Sequence, residues 1–217
     1  WYKIVPGKEP KFIKVEFGKE GNGHGIGYGD VNGDGKVDII TPNGWYESPA
    51  DPVNDPWIWH PEFNLGGTGI PILTFDVNGD GLADLLWGKG HDYGLYWEEQ
   101  KLNSDGTRSW IRHEIDTSWS QPHTMTLADI DGDGEVELIT GKRYFAHNGG
   151  DPGEYDPVVL YWYKLDKKNL TWTRHTIDEG NKVGGGMQIN VADMFGKGKL
   201  DILAPGKGGL YLFENMG

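Results

Sequence analysis

DVNGDGKVD (30–38), DVNGDGLAD (76–84) and DIDGDGEVE (129–137) write one acidic, glycine-bearing loop three times. A fourth copy, DMFGKGKLD (193–201), is damaged. Oxygen-bearing residues at alternate positions, with Gly for the sharp turn, suit a hard Ca²⁺ ion. In the first copy Asp30, Asn32 and Asp34 offer side-chain oxygens, Lys36 its carbonyl, and Asp38 closes the shell. Asp76, Asn78, Asp80, the Leu82 carbonyl and Asp84 match in the second. Asp129, Asp131, Asp133, the Glu135 carbonyl and Glu137 match in the third. Carboxylates crowded this closely repel one another, which disfavours a plain Asn-Gly or Asp-Gly turn without an ion.

The loops are not EF-hands. That motif needs a bidentate Glu at position twelve and helices on both sides. Position twelve is Thr41, Trp87 and Thr140, followed or preceded by short β-type runs such as VDII, ADLL and VELI. In the fourth copy Phe195 and Lys197 replace the second and third ligands. Its expected state is metal-free, with the Lys197 ammonium neutralising Asp193 and Asp201.

The loop aspartates at 30, 76, 129 and 193 are spaced by 46, 53 and 64 residues, about what a four-stranded propeller blade requires. An inner strand precedes each loop, at 24–29, 70–75, 123–128 and 187–192. A second follows it at 37–41, 83–87, 136–140 and 200–204. A third is aromatic, at 44–47, 94–98, 158–163 and 209–214. A fourth reads WIWHPEF (57–63), WIRHEID (110–116) and WTRHTID (172–178). The expected fold is an all-β propeller of four-stranded blades, one domain over 1–217. Its repeats span about 24–63, 70–116, 123–178 and 187–217. The last repeat lacks a fourth strand, and KFIKVEF (11–17) is available to close it. WYKI (1–4) then remains spare, so an arc of a larger ring with open, pairing-competent edges is the alternative.

The acidic loops with this strand pattern resemble the FG-GAP/VCBS family of calcium-binding β-propeller repeats, over nearly the whole chain. Members of that family include integrin α-subunit heads, fungal lectins and propellers attached to polysaccharide-active enzymes. The stretch PHTMTLADIDGDGEVELITGKRYFAHNG (122–149) is also similar to the propeller of aldos-2-ulose dehydratase-type proteins. The resemblance implies three calcium sites, a secreted (extracellular or periplasmic) setting, and a carbohydrate or other small polar ligand.

Composition agrees with many short strands joined by tight turns: 35 Gly, with 10 Trp and 10 Tyr. A net charge of −13 argues against nucleic acid, whose phosphates demand a basic surface. No run of about 20 apolar residues is present for a membrane span. Cysteine is absent, so disulfides do not report the compartment. The chain begins at Trp1 without a signal peptide, as a mature or excised form would.

Four of the seven histidines stand outside the repeat register. His60, His113 and His175 share one outer-strand position and read as structural. His24 and His123 each lie six residues before a loop aspartate, where the other blades carry Ile70 and Met187. In a closed four-blade ring they would face each other across the channel. His91 and His147 fall in second-to-third-strand loops on the rim opposite the acidic loops. The same loops carry Lys89, Lys142, Arg143, Tyr144 and Lys207.

His24, His91, Lys89, Lys142 and Lys207 are the candidate ligand-binding residues. A transition metal at His24 and His123 is a further candidate cofactor. The leading expectation is a calcium-stabilised recognition module for carbohydrate. The competing one is a lyase or dehydratase, with His123, His147 or Tyr144 as base and Arg143 steadying an enolate. Filling of the channel mouth without turnover is the plainest alternative. A third class is a self-assembling unit joined through open blade edges.

Overall fold

In the computed structural model of the protein, residues 1–180 and 183–217 are described, and they form antiparallel sheets without a helix. Blade one comprises β3 (Gly27–Gly29), β4 (Asp38–Thr41), β5 (Gly44–Glu47) and β6 (Ile58–His60). Blade two comprises β7 (Leu73–Phe75), β8 (Asp84–Gly88), β9 (Tyr93–Leu102) and β10 (Arg108–Ser120). Blade three comprises β11 (Pro122–Ala128), β12 (Glu137–Lys142), β13 (Val159–Asp166) and β14 (Thr171–Glu179). Blade four has three strands, β15 (Asn190–Ala192), β16 (Asp201–Gly206) and β17 (Gly209–Phe213). Each sheet is a meander whose neighbours in sequence are neighbours in space, as a β-propeller requires.

Three apolar clusters seal the blades in order. Ile40 and Trp45 of blade one meet Leu85 and Trp87 of blade two. Leu86, Leu95 and Trp97 of blade two meet Leu138, Val159 and Tyr161 of blade three. Ile139 and Leu160 of blade three meet Ile202 and Ala204 of blade four. The structural histidines repeat one device. His60, His113 and His175 stack on Trp45, Trp97 and Trp162 at 4.2, 4.3 and 3.9 Å. His60 and His113 also pair with Glu47 and Glu99 from the same third strand. Each stack locks the outer strand onto the aromatic third strand.

The N-terminal segment does not close blade four. β1 (Tyr2–Val5) pairs instead with β2 (Lys11–Lys14) as a separate hairpin. WYKI therefore has a partner, and KFIK is taken by it. The chain then packs on blade one, with Phe17 on Tyr46 and Trp57 at 5.0 and 5.6 Å. Tyr28 of blade one is 74% exposed and Leu210 of blade four 67% exposed. Among the described residues no apolar cluster joins the two end blades, and the blades form an arc.

The ninth residue of every acidic loop is a buried keystone. Asp38 accepts backbone N–H bonds from Val31 and Ser48, Asp84 from Val77 and Gln100, and Asp201 from Met194 and Asn215, all at 2.8–2.9 Å. Each carboxylate ties its loop to the end of the third strand of its own blade. Burial raises the Asp38 carboxyl and pushes Asp84 up to about 6. The fourth loop keeps this clamp although Phe195 and Lys197 replace two of its ligand positions. Asp201→Asn should therefore lower stability by about 1–3 kcal/mol, because an amide NH₂ faces one buried N–H. Denaturant melts of the variant check this; unchanged stability would show the clamp to be idle.

Candidate metal centre at the inner rim

The lead-ins to the inner strands are laced together by backbone. Thr68 donates its N–H and hydroxyl to the His24 carbonyl, and the Ile70 N–H donates to the His123 carbonyl at 2.6 Å. Glycine makes this approach possible. A Cβ on Gly69 would lie 2.5 Å from the His123 carbonyl, and one on Gly25, at φ 113°, would collide with Thr68. Residues 68–70 of blade two thus act as a bridge between His24 of blade one and His123 of blade three.

The side chains converge accordingly. The His24 ring lies 5.0 Å from His123 and 4.7 Å from His91, edge to face. One ring nitrogen from each of the three falls within 4.8 Å of the others. They meet around the blade-two bridge rather than across an open channel. His123 is fully buried, and neither of its ring nitrogens has a hydrogen-bond partner. Burial pushes it down to about 3, helped by the Arg143 guanidinium and the neighbouring imidazoles, so it stays neutral. His24 Nδ1 lies 2.5 Å from the Thr68 carbonyl, which can only accept. Its proton therefore sits on Nδ1 and its Nε2 lone pair is free. His24 is exposed, so the group opens to solvent on that side.

His147 stacks on His91 at 4.7 Å, and Asp151 joins them. Asp151 accepts from His147 Nδ1 at 2.9 Å and lies 3.1 Å from His91 Nδ1. Burial would raise its carboxyl, but these two imidazoles hold it below the usual range. Arg143 Nη2 approaches His91 Nδ1 at 2.9 Å and Asp151 at 3.5 Å. Burial holds His91 below its ordinary range. Asp151 was legible only as part of an Asp-Pro-Gly turn. The one signal for it was its position four residues after His147.

The other rim residues go elsewhere. Lys142 is buried, donating to the Ser120 hydroxyl at 2.8 Å and to the Gly153 carbonyl. It anchors the blade-three insertion and is not presented to a ligand, because every residue of β12 faces protein. Lys207 donates to the Phe145 carbonyl at 2.7 Å. Lys89 pairs with Asp92 at 3.5 Å and lies near the Tyr96 ring. Tyr144 is exposed, with its ring beside Phe145.

On the opposite rim the acidic loops curl around their first aspartate. Asp30, Asp76 and Asp129 each accept backbone N–H bonds from the two loop glycines. The third loop fits a cation most directly. Oxygens of Asp129, Asp131 and Glu137 lie within 4.8 Å of one another. Glu137 Oε1 is buried without a partner, and burial raises its carboxyl. The Lys164 ammonium bridges Asp131 and Asp133 of the same loop. In the fourth loop Lys197 makes its ion pair with Glu214, and Asp201 adds only a weaker attraction. Asp193 is held low by the backbone N–H groups of Gly198 and Lys197 instead.

Among the described residues no helix is long and apolar enough to cross a membrane. No curated protein matches the chain. Residues 76–140, from the second acidic loop through most of β12, match the family model of the FG-GAP-like repeat, the family that the loops and their spacing resemble.

Proposed function

We propose that this arc of blades is a calcium-stabilised, extracellular recognition module whose ligand site is a transition metal held by His24, His91 and His123. One observation carries the reading: a fully buried imidazole, His123, with both nitrogens unpartnered and two further histidines around it. Such a group normally costs about 1–3 kcal/mol when left unpaired, and a metal removes that cost. Neutral imidazoles suit zinc, copper, iron or nickel. Three protein nitrogens leave a position open, as sites that take an exogenous oxygen do. When bound, the metal supplies a Lewis acid for the ligand's hydroxyl or carboxylate oxygens. The Arg143 guanidinium beside it favours an acidic or polyhydroxylated ligand, so carbohydrate is the class expected. Calcium in the three acidic loops would fix the far rim and leave this one to the ligand.

The test is a titration of zinc-loaded protein with neutral and acidic oligosaccharides. Binding should vanish on chelation and in His123→Ala. Equal binding by metal-free protein would overturn the reading. A second reading, a lyase, draws on the His147–Asp151 pair, an imidazole oriented by a carboxylate as a general base requires. Appearance of an unsaturated product in the same incubations would select it.

A further inference from the structure

His91 stands between two neighbours that demand opposite tautomers. Asp151 is ionised and only accepts, so a bond to it requires the proton on His91 Nδ1. Arg143 only donates, so a bond from it requires a lone pair on that nitrogen. Both contacts converge on Nδ1, at 3.1 and 2.9 Å. With the proton on Nδ1, the Nε2 lone pair is free to join His24 and His123. With the proton on Nε2, that nitrogen offers no lone pair to a metal.

Asp151 is held ready for its role. It is largely buried, and its backbone N–H donates to Glu154 Oε2 at 3.1 Å. Glu154 Oε1 accepts from the His147 N–H at 2.7 Å. The insertion is thus folded around its own carboxylates and reaches from blade three to a histidine of blade two. His24 has the same arrangement in simpler form, with the Thr68 carbonyl fixing its tautomer.

We propose that the blade-three insertion is the tautomer gate of the metal site: Asp151 selects the ligating form of His91, and Arg143 stabilises the non-ligating form until a metal arrives. On loading, Nε2 gives up its proton to solvent, Nδ1 takes one up and donates it to Asp151, and the Arg143 guanidinium is left paired with that carboxylate and the Gly90 carbonyl. Asp151 is a positioning residue, acting through His91. The proposal rests on the three-histidine reading above and adds who controls it.

The experiment is zinc calorimetry on the whole chain in excess calcium, with the acidic loops saturated. Asp151→Ala should weaken zinc by about 10–100-fold, the usual effect of removing a carboxylate behind a metal-bound imidazole. Arg143→Met should strengthen it, and a merely structural role for the pair predicts weakening in both. Histidine ¹⁵N chemical shifts give a readout that needs no variant. His91 should change from the Nε2-protonated to the Nδ1-protonated pattern as zinc is added. Wild-type protein that takes up no zinc overturns the three-histidine reading itself. Zinc bound equally by wild type and Asp151→Ala, or an unchanged His91 tautomer, overturns the gate alone.

Discussion

Calcium added to metal-stripped protein should raise its melting temperature by on the order of 20 °C. The acidic loops are the reason. A ligand that binds only the folded state stabilises it by about 2.7 kcal/mol at a hundred times its dissociation constant. Three loops acting independently give about 8 kcal/mol, and each kcal/mol is worth roughly 2–4 °C in a chain of this size. The third loop should contribute most clearly, since burial leaves Glu137 Oε1 without any other partner. The fourth should contribute nothing, because Phe195 and Lys197 supply no carboxylate. Scanning calorimetry with and without calcium measures this. A melt indifferent to calcium would leave the loops as hydrogen-bonded turns and no more.

Replacing His123 with Ala should abolish zinc uptake at the inner rim. The loss should exceed the roughly 10–100-fold that outer-shell changes cost, since a ligand is removed. The same residue predicts an acid sensitivity in metal-free protein. Its folded value, about 3, lies below the ordinary 6.5. The unfolded chain therefore binds the extra proton first, and stability is complete above about pH 6.5 and falls toward pH 3. At pH 5 the loss is about 2 kcal/mol. His123→Leu fills the same space without a titrating ring and should flatten that limb in urea melts. If wild type and His123→Leu lose stability in parallel between pH 6.5 and 4, His123 is not held neutral by the fold.

The repeat was legible because turn chemistry and aromatic strands recur at blade spacing. Four lead-ins, four loops and three outer strands fall where the pattern puts them. Pairing at the N-terminus was not legible. KFIKVEF alternates like any outer strand, and alternation does not say whether β1 or β17 takes its edge. The odd histidines stood out by register, since His24 and His123 replace apolar residues of other blades. That they meet through residues 68–70 depends on glycine contacts at Gly25 and Gly69, which spacing alone does not reveal. Lys142 looked like a rim cation because it follows a Gly in a loop-like GKR. It belongs to a strand buried on both faces, and only the Ser120 hydroxyl and Gly153 carbonyl make that burial tolerable. Asp151 and Glu154 lay in an insertion with no repeat to compare against.

The three-histidine site is tested most directly by anomalous diffraction from crystals grown with zinc and calcium and measured on both sides of the zinc edge. A zinc peak about 2.0–2.1 Å from one nitrogen each of His24, His91 and His123 is the expected result. No zinc peak there, with His123 still buried and its nitrogens facing only carbon, would contradict it.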